Sequence, residues 1–168
     1  MRRIGWGMAA VLAVLAGCGA EPTEEERAAE AEREIALVER ANNTPPPLRE
    51  IVPEPITWSD MERHDLSGNA CNYAPGTSFG TRVVARESDA HVKIDGDIVR
   101  LSADQGAREL PAGTKSRYIG REHELNLALD GEGEPSGTAK ADYEGTVTLR
   151  DEHGRITYQG TGLAQCDI

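Results

Sequence analysis

Residues 90–101 read AHVKIDGDIVRL, in which apolar and polar side chains alternate on both sides of a central Asp95-Gly96 pair. Alternation with a period of two is typical of a β-strand that buries one face. A two-residue Asp-Gly loop favours a tight hairpin turn whose twist matches that of the flanking strands. We therefore expect a hairpin that pairs Val92 with Val99 and buries one face, which consists of Ala90, Val92, Ile94, Val99 and Leu101. The opposite face is expected to point mostly to solvent and carries His91, Lys93, Ile98 and Arg100.

Short alternating runs separated by turn residues continue through residues 56–168, which we take as one β domain. Residues 151–154 (DEHG) predict a further hairpin turn, and residues 58–66 predict one helical turn that plugs an end of the fold. The pattern predicts an all-β fold, a small antiparallel barrel or sandwich of about eight strands. Besides the hairpin, strands are expected at residues 81–85, 115–119, 123–129, 138–143, 146–150 and 155–161.

An acidic helix and a proline-rich linker are expected before the β domain. Thr23 and Glu26 have the spacing of a capping box, which predicts a helix over residues 23–41. The apolar stripe of this helix is thin, so we expect a solvated spacer; a docking or coiled-coil helix is the alternative. Residues 42–55 contain the prolines expected of a semi-rigid linker.

The N-terminal residues have the layout of an export signal. Arg2 and Arg3 precede an apolar run at residues 4–14, and Leu15-Ala16-Gly17-Cys18 follows. This tetrapeptide resembles the lipobox of bacterial lipoproteins at all four positions. The resemblance implies cleavage after residues 1–17, lipid attachment to Cys18, and a membrane anchor with the start of a tether at residues 18–22. An ordinary secretory signal with a chance cysteine is the alternative.

By the same resemblance, Gly19 replaces the aspartate that favours inner-membrane retention in enteric bacteria. The expected location is therefore the cell envelope, lipid-anchored in the outer membrane and facing the periplasm. With Cys18 assigned to lipid, Cys71 and Cys166 are an even pair in an oxidising compartment, and we expect them to form a disulfide. A free redox-active or metal-binding pair is the alternative.

The chain is strongly acidic, with a formal net charge of −11. Loss of residues 1–17 would remove two arginines and no acidic residue, so the charge would become −13. Such a chain repels nucleic acid and anionic lipid headgroups. Basic proteins, cations or polyamines are the partners that its charge would attract.

Several short motifs are candidates for chemical sites. Residues 76–80 match the G-x-S-x-G pattern of a nucleophile elbow, but a β-like segment follows where a helix is needed, so we expect a turn. The polar residues 60–65 match no metal-binding spacing, and we expect a solvated segment. His123 lies on the same face of the predicted strand as the leucines in residues 123–129. We expect it to be a hydrogen-bonded structural residue. Residues 160–162 (GTG) read as a turn at a strand end.

Residues 113–118 read GTKSRY and resemble, in altered order, the loop with which membrane-bound inhibitors of c-type lysozyme enter the enzyme cleft. Those inhibitors are lipobox proteins with a small eight-stranded barrel and a disulfide reaching the C-terminal region. The resemblance implies a candidate binding loop that consists of Gly113, Lys115, Ser116, Arg117 and Tyr118.

The sequence thus predicts a non-enzymatic lipoprotein, a binding or structural module that needs no cofactor or metal. Its partners would be the membrane, through Cys18, and a basic periplasmic or exogenous protein. A periplasmic lysozyme inhibitor is one alternative, and a hydrolase or metal-dependent enzyme is another. The oligomeric state is left open.

Overall fold

The computed structural model of the protein describes residues 21–167, so the expected signal and lipobox lie outside the described residues. The chain divides into two compact units, which meet in sequence between Pro45 and Pro46. The first contains helix α1 (Glu24–Asn43), and the second contains the β domain.

Helix α1 begins as the sequence predicts. Thr23 is its N-cap, and the side chains and backbone amides of Thr23 and Glu26 form the reciprocal capping-box bonds. The helix runs two residues beyond the expected end at residue 41, and the Thr44 hydroxyl donates to the carbonyl oxygen of Arg40 at 2.6 Å. No residue of α1 is buried, as expected of a solvated helix.

The β domain is a closed antiparallel barrel, which confirms the predicted fold class and decides between barrel and sandwich. Each strand pairs with the next along the chain, and the last pairs back with the first. The strands are β1 (Cys71–Pro75), β2 (Val83–Ala85), β3 (Asp89–Ile94), β4 (Asp97–Ala103), β5 (Arg117–Ile119), β6 (His123–Pro135), β7 (Lys140–Asp151) and β8 (Ile156–Asp167).

The predicted β3–β4 hairpin is confirmed in register. Val92 pairs with Val99, and the turn residues Asp95 and Gly96 have positive φ angles of 51° and 86°. Positive φ at both central positions is what this type of hairpin turn requires. The predicted inner face is buried or packed against the core.

Three strand predictions were wrong in detail. The sequence prediction missed β1, and it divided β7 into two strands near Gly145. It also read residues 160–162 as a turn, although they lie inside β8. Gly145 and Gly160 lie in mid-strand because the barrel interior leaves no room for a side chain at either position. An added Cβ at Gly145 would lie 2.9 Å from the Cβ of Ala164. An added Cβ at Gly160 would overlap the Tyr158 hydroxyl.

Gly162 allows the close approach of two backbones where β8 meets the end of β1. A Cβ at this position would overlap the carbonyl oxygen of Ala74 and lie 2.7 Å from the Cα of Pro75. Since these are backbone atoms, the contact cannot be relieved by rotating a side chain.

We therefore predict that Gly162→Ala lowers the free energy of unfolding by about 1–3 kcal/mol, as overpacking in a tight site does. Urea unfolding followed by circular dichroism measures this loss. Gly106→Ala is the matched control, because its added Cβ would meet only the side-chain oxygen of Asp104 at 3.4 Å. Equal stability of the two variants would contradict the close approach.

The disulfide between Cys71 and Cys166 is present, and it joins residues that lie directly opposite each other in the β1–β8 pairing. The bond closes a loop with a sequence separation of 95. It therefore ties the last strand to the first strand at one end of the barrel.

Replacing both cysteines by alanine is predicted to lower the free energy of unfolding by about 2–5 kcal/mol, mainly because the unfolded chain gains freedom. Urea unfolding with and without a reductant gives the same comparison in the unsubstituted chain. If the double variant and the reduced chain are as stable as the oxidised chain, the disulfide does not contribute to the free energy of unfolding and the prediction is wrong.

The outer face of β2, β3 and β4 is covered by residues 56–70, which we call the cover segment. It contains helix α2 (Trp58–Arg63), and its residues Ile56, Leu66 and Ala70 pack on Val84. The expectation that this helical turn plugs a barrel end is therefore wrong. The expectation that the outer face points mostly to solvent is wrong for His91, which is 4% exposed, and for the Lys93 side chain, which is 16% exposed. It holds for the Arg100 side chain, which is 66% exposed.

The two ends of the barrel differ. At the disulfide end, a 3-10 turn at Pro111–Gly113 and its neighbours Leu110 and Thr114 lie over the core, and the hydroxyl of Thr114 donates to the Pro111 carbonyl at 2.8 Å. The turns that follow β1, β3, β5 and β7 lie at the opposite end. We call this end the mouth.

Candidate functional site

The mouth is partly covered by residues 46–51, which we call the strap. The backbone amide of Ile51 donates to the carbonyl oxygen of Thr157 at 2.9 Å, and the Arg155 guanidinium donates to the Pro46 carbonyl at 2.7 Å. Arg49 forms an ion pair of 2.7 Å with Asp95. The second half of the predicted linker is therefore part of the barrel unit, because its backbone and side chains are bonded to three different strands or turns.

A cavity of about 410 Å³ lies between the strap and the mouth of the barrel. Its apolar part comes from Ile51, Ile94 and Val99, which also pack on the barrel core, and from Pro46 and Pro47 of the strap. This volume falls in the range of small-molecule sites, which combine an apolar lining with a few polar groups. We call this space the mouth cavity.

Charged side chains surround the mouth cavity, and most of them are acidic. Two arginines line it, and each is neutralised: Arg49 by Asp95, and Arg155 by Asp151 at 2.7 Å. The remaining carboxylates make no ion pair with lysine or arginine among the described residues. They are Asp97, Glu122 and Glu152.

His123 also lines the mouth cavity, at the first position of β6. Its Nδ1 atom is buried and has no hydrogen-bond partner among residues 21–167. The expectation of a hydrogen-bonded structural histidine is therefore wrong at this atom. The fold thus leaves one ring nitrogen of His123 without a hydrogen bond near the edge of the cavity.

Two charged networks fix the cover segment and the outer strands. Asp60 of α2 accepts from Lys93 at 2.9 Å and from Thr57, and the Lys93 ammonium holds the pKa of Asp60 well below its usual range. Asp60 is thus a buried anchor rather than part of a solvated segment, whereas Glu62, His64 and Asp65 are exposed as expected.

Asp89 is the centre of the second network. It accepts from Arg86 at 2.8 Å and from Arg100 at 3.0 Å. Burial favours a higher pKa for Asp89, but the hydrogen bonds and charges of its partners outweigh burial and lower it. His91 lies beside this group, with Nδ1 3.7 Å from an Asp89 oxygen. Burial lowers the pKa of His91, and the nearby arginines add to that effect while Asp89 opposes it.

The lowered pKa of His91 predicts a loss of stability on mild acidification. Below about pH 6.5 the unfolded chain takes up a proton on this residue that the folded chain does not, so the free energy of unfolding falls as the pH falls. The measurement is urea unfolding between pH 8 and pH 5, for the unsubstituted chain and for His91→Gln. The unsubstituted chain should lose more stability over this interval than the variant; parallel profiles would show that His91 does not contribute.

The five residues of the predicted binding loop do not form a projecting loop. Tyr118 is fully buried, and its hydroxyl accepts from the Lys115 amide and donates to the Arg86 carbonyl. The side chain of Lys115 is 13% exposed and pairs with Glu109, and Arg117 pairs with Asp104 at 2.6 Å. Gly113 and Ser116 are partly buried. This geometry gives no support to insertion into an enzyme cleft, which stays a prediction.

A second cleft lies on the long β6–β7 strands and has a volume of about 600 Å³. Among its carboxylates, Asp142 accepts hydrogen bonds from Ser136 and Gln165. We call it the acidic cleft because five acidic residues line it: Asp130, Glu132, Glu134, Asp142 and Glu144.

The turn expected at residues 76–80 is confirmed. These residues lie in the β1–β2 loop, where the Ser78 hydroxyl accepts from the Gly80 amide and Phe79 is fully exposed. Within residues 21–167, no three histidine, cysteine or acidic side chains are grouped so as to hold a metal ion. No helix in that range has the length and apolarity needed to cross a membrane.

Comparison of the chain with protein-family models, with curated proteins and with solved structures gave no match. Sequence reasoning found His123 but missed the mouth cavity, because the strap and the three turns that form it are far apart in sequence.

Proposed function

We propose that the protein is a lipid-anchored lipoprotein of the cell envelope whose β barrel binds a small ligand at its mouth. The anchor rests on the resemblance of Leu15-Ala16-Gly17-Cys18 to a lipobox. The pairing of Cys71 with Cys166 supports it, because Cys18 is then the one cysteine left for lipid. Three acyl chains on Cys18 would hold the protein far more firmly than a single chain does.

Helix α1 would serve as a spacer between the lipid and the barrel. Seven glutamates and three arginines lie within Glu24–Asn43, and no residue of the helix is buried. A helix of this kind is stable in water because of its capping box and its first-turn acids. It suits a tether in the periplasm, and the outer membrane is the location that we propose for its lipid.

The mouth cavity is the observation that carries the binding role. It combines an apolar lining with carboxylates that make no ion pair with lysine or arginine among the described residues, and barrels commonly bind ligands at such an end. Binding is favoured over catalysis because the Thr157 hydroxyl, which lines the cavity, donates to the carbonyl oxygen of Leu149 rather than to a histidine. The acidic cleft offers a separate surface for a basic protein partner.

Methyl NMR tests the binding role. In the chain from residue 19 onward, which keeps every residue that the structure describes, a library of small neutral, cationic and anionic compounds should shift the methyl signals of Ile51, Ile94 and Val99. The methyl groups of Val84 and Ile98 on the outer face are the internal control. Shifts confined to the outer face, or no shifts, would contradict binding at the mouth.

Fractionation tests the anchor independently. The full chain should be found in the membrane fraction, whereas Cys18→Ala should leave an uncleaved or soluble protein because no thioether can form. Incorporation of a labelled fatty acid should be lost in the same variant. Normal labelling and fractionation of Cys18→Ala would show that the lipobox interpretation is wrong.

A further inference from the structure

We propose that the mouth cavity selects a small organic cation with an apolar body, such as an aryl or alkyl amine. This inference rests on the proposed binding role of the mouth and specifies its ligand. It is carried by two features of one cavity, an apolar lining and an excess of carboxylates that the fold does not neutralise.

The apolar lining sets the body of the ligand. Ile51, Ile94 and Val99 are parts of the core that reach the cavity, so an apolar group placed there continues the packing of the barrel interior. The volume of about 410 Å³ limits the ligand to a compact molecule.

The charges around the cavity determine the charge of the ligand's polar group. Arg49 and Arg155 already have carboxylate partners at 2.7 Å, so they attract an anion weakly. Asp97 and Glu122 have no ion pair with lysine or arginine in the described part of the chain, and both are exposed at the rim. An ammonium group near them would gain Coulomb energy without displacing an existing ion pair.

The whole protein reinforces this selection. With a net charge of −11, the chain attracts cations over distances of about the Debye length and repels anions. The ring of His123 lines the same edge of the cavity and can pack on an apolar ligand. A neutral or anionic ligand of the same shape would use the apolar lining alone.

The test uses three probes of matched shape: phenylbutylamine, phenylbutanol and phenylbutanoate. Each is titrated into the chain from residue 19 onward, with the methyl signals of Ile51, Ile94 and Val99 as the readout. At about 20 mM salt the amine should bind about tenfold more tightly than the alcohol, and the difference should shrink at about 300 mM salt as charges are screened. The carboxylate should bind most weakly.

A double variant at the rim, Asp97→Asn with Glu122→Gln, should remove the preference for the amine, so that the amine and the alcohol bind the variant with equal affinity. Glu132→Gln with Glu134→Gln in the acidic cleft is the matched control, since it changes the net charge equally but lies outside the mouth cavity. A lysine-containing tripeptide titrated in parallel separates a free amine from a basic protein segment, and tighter binding of the tripeptide than of the amine would contradict selection of a small ligand.

The outcomes separate the two proposals. If the alcohol or the carboxylate shifts the mouth methyl signals at concentrations as low as the amine does, the mouth binds ligands and the cation selection is wrong. If the rim variant and the control variant lose the same amine affinity, the selection comes from net charge and not from Asp97 and Glu122. If no probe shifts these signals, the binding role of the mouth fails as well.

Discussion

Hydrogen bonding between β1 and β8 closes the sheet into a barrel, and the Cys71–Cys166 disulfide ties the same two strands together at one end of their pairing. At the other end, Gly162 lets the two backbones approach closely. An open sheet would leave two strand edges unpaired and its inner face in contact with water. Closure therefore provides the continuous core, and an eight-stranded barrel is just wide enough for side chains to fill it.

The mouth is a consequence of this closed, sequential topology. Successive turns of an antiparallel meander alternate between the two ends, so the turns after β1, β3, β5 and β7 share one end, and the last three of them line the mouth cavity. Residues 110–114 fill the disulfide end, whereas the strap leaves space at the mouth between itself and the core. The ion pair of Arg49 with Asp95 and the bond from Arg155 to Pro46 hold the strap across that space.

Local patterns in the sequence were sufficient for the features that depend on neighbouring residues. The capping box at Thr23, the Asp95-Gly96 turn and the alternation around Val92 predicted their elements because each acts within a few residues. The sequence prediction ends a strand near Gly145, although this residue lies in mid-strand. A glycine is needed there because the Ala164 side chain of another strand occupies the adjacent interior space.

The mouth depends on the same strand count. If β7 is divided at Gly145, one more strand lies between the two hairpin turns, and a sequential meander would place residues 151–154 at the end opposite Asp95-Gly96. The sequence predicts solvated positions for His91 and Asp60, and both predictions are wrong. The cover segment buries these residues, and its contacts with β2–β4 are distant in sequence.

Closure between β1 and β8 is the central claim, and nuclear Overhauser contacts in solution test it most directly. In the chain from residue 19 onward, contacts between Asn72 and Gln165 and between Tyr73 and Ala164 should appear together with those between Tyr143 and Ala164 of the β7–β8 pair. Presence of both sets supports a closed barrel. Presence of the β7–β8 contacts without the β1–β8 contacts would show an open sheet and contradict the account.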